Sequence, residues 1–274
     1  MKKNKMMRIA SILLVAVLIS TCAISGTFAK YVTKAEATDT ARVAKWGVVI
    51  SVDGTEAFAD KYVTHDKEFG YEGEYSVVAF AAEGEKADKV VAPGTSSADL
   101  DKTLSATIKG KPEVATAYTV EIANIKDIVL RSVAQSGETT TEADAVEYAP
   151  ILWTLKIAGK AVATDKSLTE VLARVDEIGG KLEVLGLEGV AISAETIAAS
   201  GNDGPTIKIS ALADPNVDIN LGVELSWKWV YYVDDATDVL DTALGNIAAG
   251  VAVDGFEADT VISADVAVTA TQID

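Results

Sequence analysis

Cysteine, histidine, proline and aromatic residues are all scarce in this 274-residue chain, and each scarcity excludes something. With one cysteine, Cys22, no disulfide framework can form. A structural zinc site needs four nitrogen or sulfur ligands, which one cysteine and one histidine cannot supply. The histidine, His65, is the only imidazole base open to a Ser-His-Asp or Cys-His machine. It lies alone in Thr64-His65-Asp66-Lys67, a polar loop context. Five prolines and no Ser/Gly tract leave no visible linker, so residues 30–274 read as one domain. Positive charge is outnumbered: 24 Lys+Arg stand against 41 Asp+Glu, a formal charge of −17. An acidic surface repels phosphate and forgoes counterion release, so no nucleic-acid partner is expected. What is abundant is aliphatic. Hydrophobic residues make up 49% of the chain and aromatics only 6%, enough Val, Ile, Leu and Ala to bury a core and to argue against disorder.

Residues 1–29 differ from the rest. Lys2, Lys3, Lys5 and Arg8 precede an apolar run over residues 9–24, and Ser25-Gly26-Thr27-Phe28-Ala29 follows with small residues before a cut. This pattern is that of a secretory signal peptide cleaved between Ala29 and Lys30. An uncleaved anchor is the alternative, since residues 9–29 are just long enough to span a bilayer. Lipidation at Cys22 fits poorly, because Thr21 precedes it and apolar chain continues past it. Membrane contact is therefore expected only during export. The leader holds four positive charges, no negative ones and the only cysteine, so the mature chain is more acidic and cysteine-free. Secreted domains often rely on disulfides. Their absence points to an export route without disulfide chemistry, such as that of a Gram-positive cell.

The mature chain reads as mainly β. Apolar alternation at period two recurs over residues 43–52, 75–81, 104–108, 118–122, 128–133, 151–157, 182–187, 206–212, 221–233 and 260–271. Turn residues stand between these runs: Asp53-Gly54, Pro93-Gly94, Gly110-Lys111-Pro112, Asn124, Gly159-Lys160. Residues 136–144 are polar and read as an exposed loop. Ser167 and Glu170 form a capping box ahead of Leu168, Val171, Leu172, Val175 and Ile178 at helical spacing, and Gly179-Gly180 stops the helix. A second helical stretch covers residues 239–249. Short strands with one or two short helices predict a single antiparallel β-sandwich of the jelly-roll or Ig-like kind.

Several segments resemble the TasA/camelysin family of secreted bacterial proteins, whose leaders are cut by a SipW-type signal peptidase. The residues that carry the resemblance are Ser25-Gly26-Thr27-Phe28-Ala29-Lys30-Tyr31 at the leader exit and Thr40-Ala41-Arg42-Val43-Ala44-Lys45-Trp46-Gly47-Val48 after it. Val91-Ala92-Pro93-Gly94-Thr95, Leu225-Ser226-Trp227-Lys228-Trp229, Asp241-Thr242-Ala243-Leu244-Gly245 and Val268-Thr269-Ala270-Thr271-Gln272-Ile273-Asp274 complete the set. Residues 130–220 add little to it. The resemblance implies a jelly-roll-like sandwich and a SipW-type peptidase as processing partner. It further implies a building block of biofilm-matrix or cell-surface fibres that assembles with itself or with related matrix subunits. Members called camelysin have been described as metalloproteases. This sequence has no His-Glu-x-x-His on a helix, so no catalytic residue, metal or cofactor is carried over.

Four features invite a sharper reading. Trp227 and Trp229 alternate on one strand and share a face. They read as core, with a glycan platform as the alternative; Trp46 likewise reads as core. Asp234, Asp235, Asp238 and Asp241 cluster before a helix, where a calcium site is conceivable. The EF-hand spacing is absent, and Asp235 and Asp238 suit a helix N-terminus by capping and dipole. Carboxylate pairs suited to glycoside hydrolysis carry no specificity among 41 acids. Finally, cleavage would free residues 30–39, which begin with Tyr31 and Val32 after Lys30. These two are the expected intersubunit strand, pairing with an exposed edge of a neighbouring subunit; a terminus that is frayed or paired within its own chain is the alternative. The chain is thus expected to be a secreted, non-enzymatic fibre subunit. The alternatives are a monomeric surface module binding a glycan or protein, then a camelysin-type protease.

Overall fold

The computed structural model describes residues 32–36, 40–43, 47–54, 57–62, 77–78, 89–97, 103–133, 146–179 and 189–273. The leader, the Ala29–Lys30 cleavage site, Tyr31, Trp46, His65, the expected loop over 136–144 and the expected strand over 182–187 lie outside them.

The described chain is mainly β, as its alternation predicts. Its strands are β1 (Val32–Glu36), β2 (Thr40–Val43), β3 (Val48–Asp53), β4 (Lys61–Tyr62), β5 (Val77–Val78), β6 (Leu104–Gly110), β7 (Thr116–Lys126) and β8 (Val129–Ser132). Then come β9 (Glu147–Tyr148), β10 (Ile151–Ile157), β11 (Lys160–Lys166), β12 (Val190–Ile197), β13 (Thr206–Ala213), β14 (Ile219–Trp229), β15 (Phe256–Asp259) and β16 (Ser263–Gln272). Helix α1 (Leu168–Ile178) follows β11, and α2 (Asp235–Ala248) follows β14.

Two antiparallel sheets dominate. One runs β1-β16-β7-β13-β12, the other β11-β10-β14-β6-β3-β2. Their central strands alternate between buried and open positions, as in β14 and β10. The buried faces meet in a single hydrophobic cluster. Tyr118, Val120 and Ile122 of β7 and Val268 of β16 enter it from one sheet. Ile50 of β3, Ile108 of β6, Leu155 of β10, and Val223 and Leu225 of β14 enter it from the other. The arrangement is sandwich-like, with β16 against β3 and β6. A small sheet, β15-β8-β9, and the β4-β5 pair complete the described fold.

Several boundaries differ from the sequence reading, each for a local reason. The run over 43–52 starts at the last residue of β2 and its later part is β3, which pairs antiparallel with β2; Gly47 stands at φ +62 ahead of β3, and a Cβ there would collide with the Lys111 carbonyl oxygen. Asn124 does not end β7. It takes φ 54 inside the strand, where the pairing with β16 slips between Ser263 and Asp265, a bulge. The strand expected over 221–233 stops at Trp229. Its neighbours stop there too: Ile151, its partner in β10, follows Pro150, and Gly94 of the Pro93-Gly94 turn donates to Trp229 O. Tyr231, Tyr232 and Val233 are consequently exposed rather than central. α2 begins four residues earlier than expected because Asp234 caps it. β11, β12 and β15 are strands that the apolar alternation does not single out. β11 returns on β10 through Ala158 and Gly159, both at positive φ, the turn suited to a two-residue hairpin.

Candidate functional site

The tryptophans sit in the core. Trp227 is 2% exposed; its Nε1 donates to Ala57 O at 2.9 Å, Phe58 stacks on it at 5.4 Å and Tyr62 meets it edge-on at 5.9 Å. Its backbone N–H donates to Ser97 Oγ at 3.0 Å. Trp227 thus ties the 57–62 and 94–97 segments onto β14. Neither this side chain nor Trp229, which is 6% exposed, offers a ring face to a sugar.

The four aspartates are divided among separate tasks. Asp234, not Asp235 or Asp238, is the N-cap of α2: its Oδ1 accepts from Thr237 N at 2.8 Å, and hydrogen bonds from that turn hold its carboxyl below the usual range. Asp235 accepts from Tyr232 OH at 2.7 Å. Asp235 and Asp238 lie in the first helical turn, where the dipole favours acids. Asp241 accepts from Tyr148 OH at 2.7 Å and from Trp229 Nε1 at 3.2 Å, and burial pushes its carboxyl up. Among the described residues no group of three or more His, Cys, Asp or Glu could hold a metal ion.

A site that no sequence pattern marks lies between α1 and the small sheet. It is an open cleft of about 690 Å³ lined by Asp127, Arg131, Glu147, Ser167, Asp203 and Asp259, among others. The bulge at Asn124 builds one wall: Asn124 Oδ1 accepts from Gly204 N at 2.9 Å and Ile125 N donates to Pro205 O at 3.0 Å, docking the 200–205 turn on β7. Asp127 follows that bulge. Its carboxylate accepts from Ile128 N at 2.9 Å and Trp153 Nε1 at 3.3 Å, and burial nevertheless pushes it up to about 6. In the same cleft, Arg131 Nη1 pairs with Asp259 Oδ2 at 2.6 Å. A carboxyl that burial pushes up to about 6, set in a cleft of mixed charge, suits the binding of a polar ligand. Nothing local marks Asp127, because its partner Trp153 is remote in sequence.

The second candidate is the sheet edge at β1. Val32 pairs with Thr271 and Glu36 with Ala267, in register throughout, so β1 is the edge strand of the five-stranded sheet within its own chain. Tyr31, its expected companion, lies outside the described residues. β2, which begins at Thr40, belongs to the other sheet. No described helix is long and apolar enough to cross a membrane.

No family model, no curated protein and no solved structure matches the chain.

Proposed function

We propose that the chain is a secreted structural subunit of extracellular matrix or cell-surface fibres, non-enzymatic, on a jelly-roll-like sandwich. Copies assemble by β-strand addition, with Tyr31 and Val32 leading the intersubunit strand. The observation that carries this reading is the placement of β1. It follows directly on the Ala29–Lys30 cleavage expected from the sequence, and it joins its sheet as an edge strand of five residues. Only residues 37–39 tether it to β2 in the other sheet. Exchange of such a strand between copies replaces one ladder by an identical one, so little pairing energy is lost. Head-to-tail exchange that does not close yields a filament. The SipW-type peptidase would act by releasing the β1 segment from the leader.

The test is negative-stain electron microscopy of protein beginning at Lys30, across concentration and down towards pH 4.5, where charge repulsion fades. Filaments are expected, and protein beginning at Thr40 should form none. Monodisperse particles at every condition, or filaments unaffected by the loss of residues 30–39, would overturn the reading.

The Asp127 cleft favours a second reading, a monomeric surface module for a polar ligand such as a glycan. Monodisperse particles together with saturable glycan binding that Asp127→Ala abolishes would support it.

A further inference from the structure

The two large sheets present four edge strands among the described residues, β1, β2, β11 and β12, and two of them are visibly obstructed. On one side of the molecule lie β1 and β2; on the other lie β11 and β12, with α1 packed against both and against β10. β11 is an irregular edge. Its pairing with β10 slips twice, and Asp165 takes φ 53. Such bulges twist an edge away from a new partner.

β12 is blocked differently. Thr196 N donates to Asp176 Oδ1 of α1 at 3.0 Å, so this N–H points away from β13 and would be free on a bare edge. Thr196 Oγ1 donates to the same carboxylate at 2.8 and 2.7 Å. Two residues back, the carbonyl of Ala194 also faces outward, as antiparallel alternation requires. There the helix end lies directly on the strand: a Cβ at Gly179 would come within 2.5 Å of Ala194 O. The α1 carboxylate and the α1 terminus therefore occupy one outward main-chain group on each of Thr196 and Ala194, the N–H of the first and the carbonyl of the second. By the same alternation only Val190 and Ile192 keep outward groups elsewhere on the strand, fewer than strands ordinarily pair.

We infer that α1 is an edge guard. Its Asp176 carboxylate and Gly179 terminus deny β12 to a second copy of this chain, so that copies join only at the β1/β2 side. The inference rests on the proposed assembly by strand addition, and it makes that assembly linear: one side gives and receives strands, the other neither. Without the guard, the chain would carry an accessible edge at each side and could branch or aggregate laterally.

Two substitutions and one control test it in the full mature protein. Asp176→Ala removes the acceptor of the Thr196 amide, and exchange of that amide should accelerate by about tenfold or more. Asp176→Asn retains an acceptor oxygen and should keep exchange slow. Asp176→Ala combined with Val175→Ala, which loosens the helix seat, should show concentration-dependent association beyond that of the unaltered protein, by light scattering, with branched or laterally bundled material by microscopy. Unchanged Thr196 exchange in Asp176→Ala would overturn the inference, as would faster exchange without new association. Should the double variant lose its β-type circular dichroism, the exchange and association of Asp176→Ala alone decide. Failure of the fibre reading is separate: the unaltered protein would then stay monomeric, while the variants would still report on the β12 edge.

Discussion

Two kinds of contact at the edges of the sandwich-like core invite comparison, a helix seated on strands and a main-chain ladder. At β11 and β12 the chain invests side chains. α1 buries Val171 and Val175 completely, caps itself through Ser167 and Glu170, and reaches across to Thr196. At β1 and β2 the described pairing is main-chain, five residues of β1 on β16 and four of β2 on β3. A ladder is generic and any matching strand can replace it, whereas a seated helix must be unpacked before its place is free. If copies associate by strand exchange as proposed, the difference puts reversible exchange at a ladder and not at a seated helix.

Unseating α1 should have the largest effect. Val171→Asp places an unpaired charge where the native side chain is fully buried, and should cost at least about 4 kcal/mol. Urea unfolding measures it, and a loss below about 1 kcal/mol would mean that the helix is peripheral. A pH-dependent effect comes next, at the end of the same side, where Asp127 lies in the cleft beside the α1 N-terminus. Burial raises its carboxyl from 3.8 to about 6 in the folded chain, so the folded state binds this proton more tightly than the unfolded state. Stability from this group is fully present below about pH 4 and is lost as pH rises through about 6. In Asp127→Asn that loss disappears. Between about pH 4 and about pH 7.5 the stability difference between the two proteins should move by about 2 to 3 kcal/mol in favour of the variant. Parallel pH profiles would show that the carboxyl is not perturbed. The smallest effect belongs to the cap. Ser167→Ala removes the acceptor of Glu170 N and should cost about 1 kcal/mol, read as a lower melting temperature. None of these three changes should touch pairing at β1, so filament formation at matched stability separates the sides.

How much is legible in the sequence depends on the range of the interactions. The capping box of α1 needs only Ser167 and Glu170 three residues apart, and the structure has it as the sequence predicts. The inward face of β10 follows from alternation alone, as does the shared burial of Trp227 and Trp229. The start of α2 is harder, because several acids compete for the cap; only backbone geometry selects Asp234 over Asp235 and Asp238. β12 mixes Ala, Ser, Glu and Thr among its apolar residues with weak contrast, as an edge strand can, and gives no clear period-two signal. Asp127 and Asp241 are not legible at all in their present roles. Trp153 lies 26 residues from the first, and Tyr148 lies 93 residues from the second.

By itself, then, the sequence determined the mainly β character, the two amphipathic helices and the burial of Trp227 and Trp229, because period, caps and turns act over a few residues. The tertiary structure alone decided which edges pair, that α1 closes β12, and that Asp127 shares a cleft with the start of α1. Those depend on strands distant in the chain meeting side by side, and no local pattern encodes which strand will lie next to which.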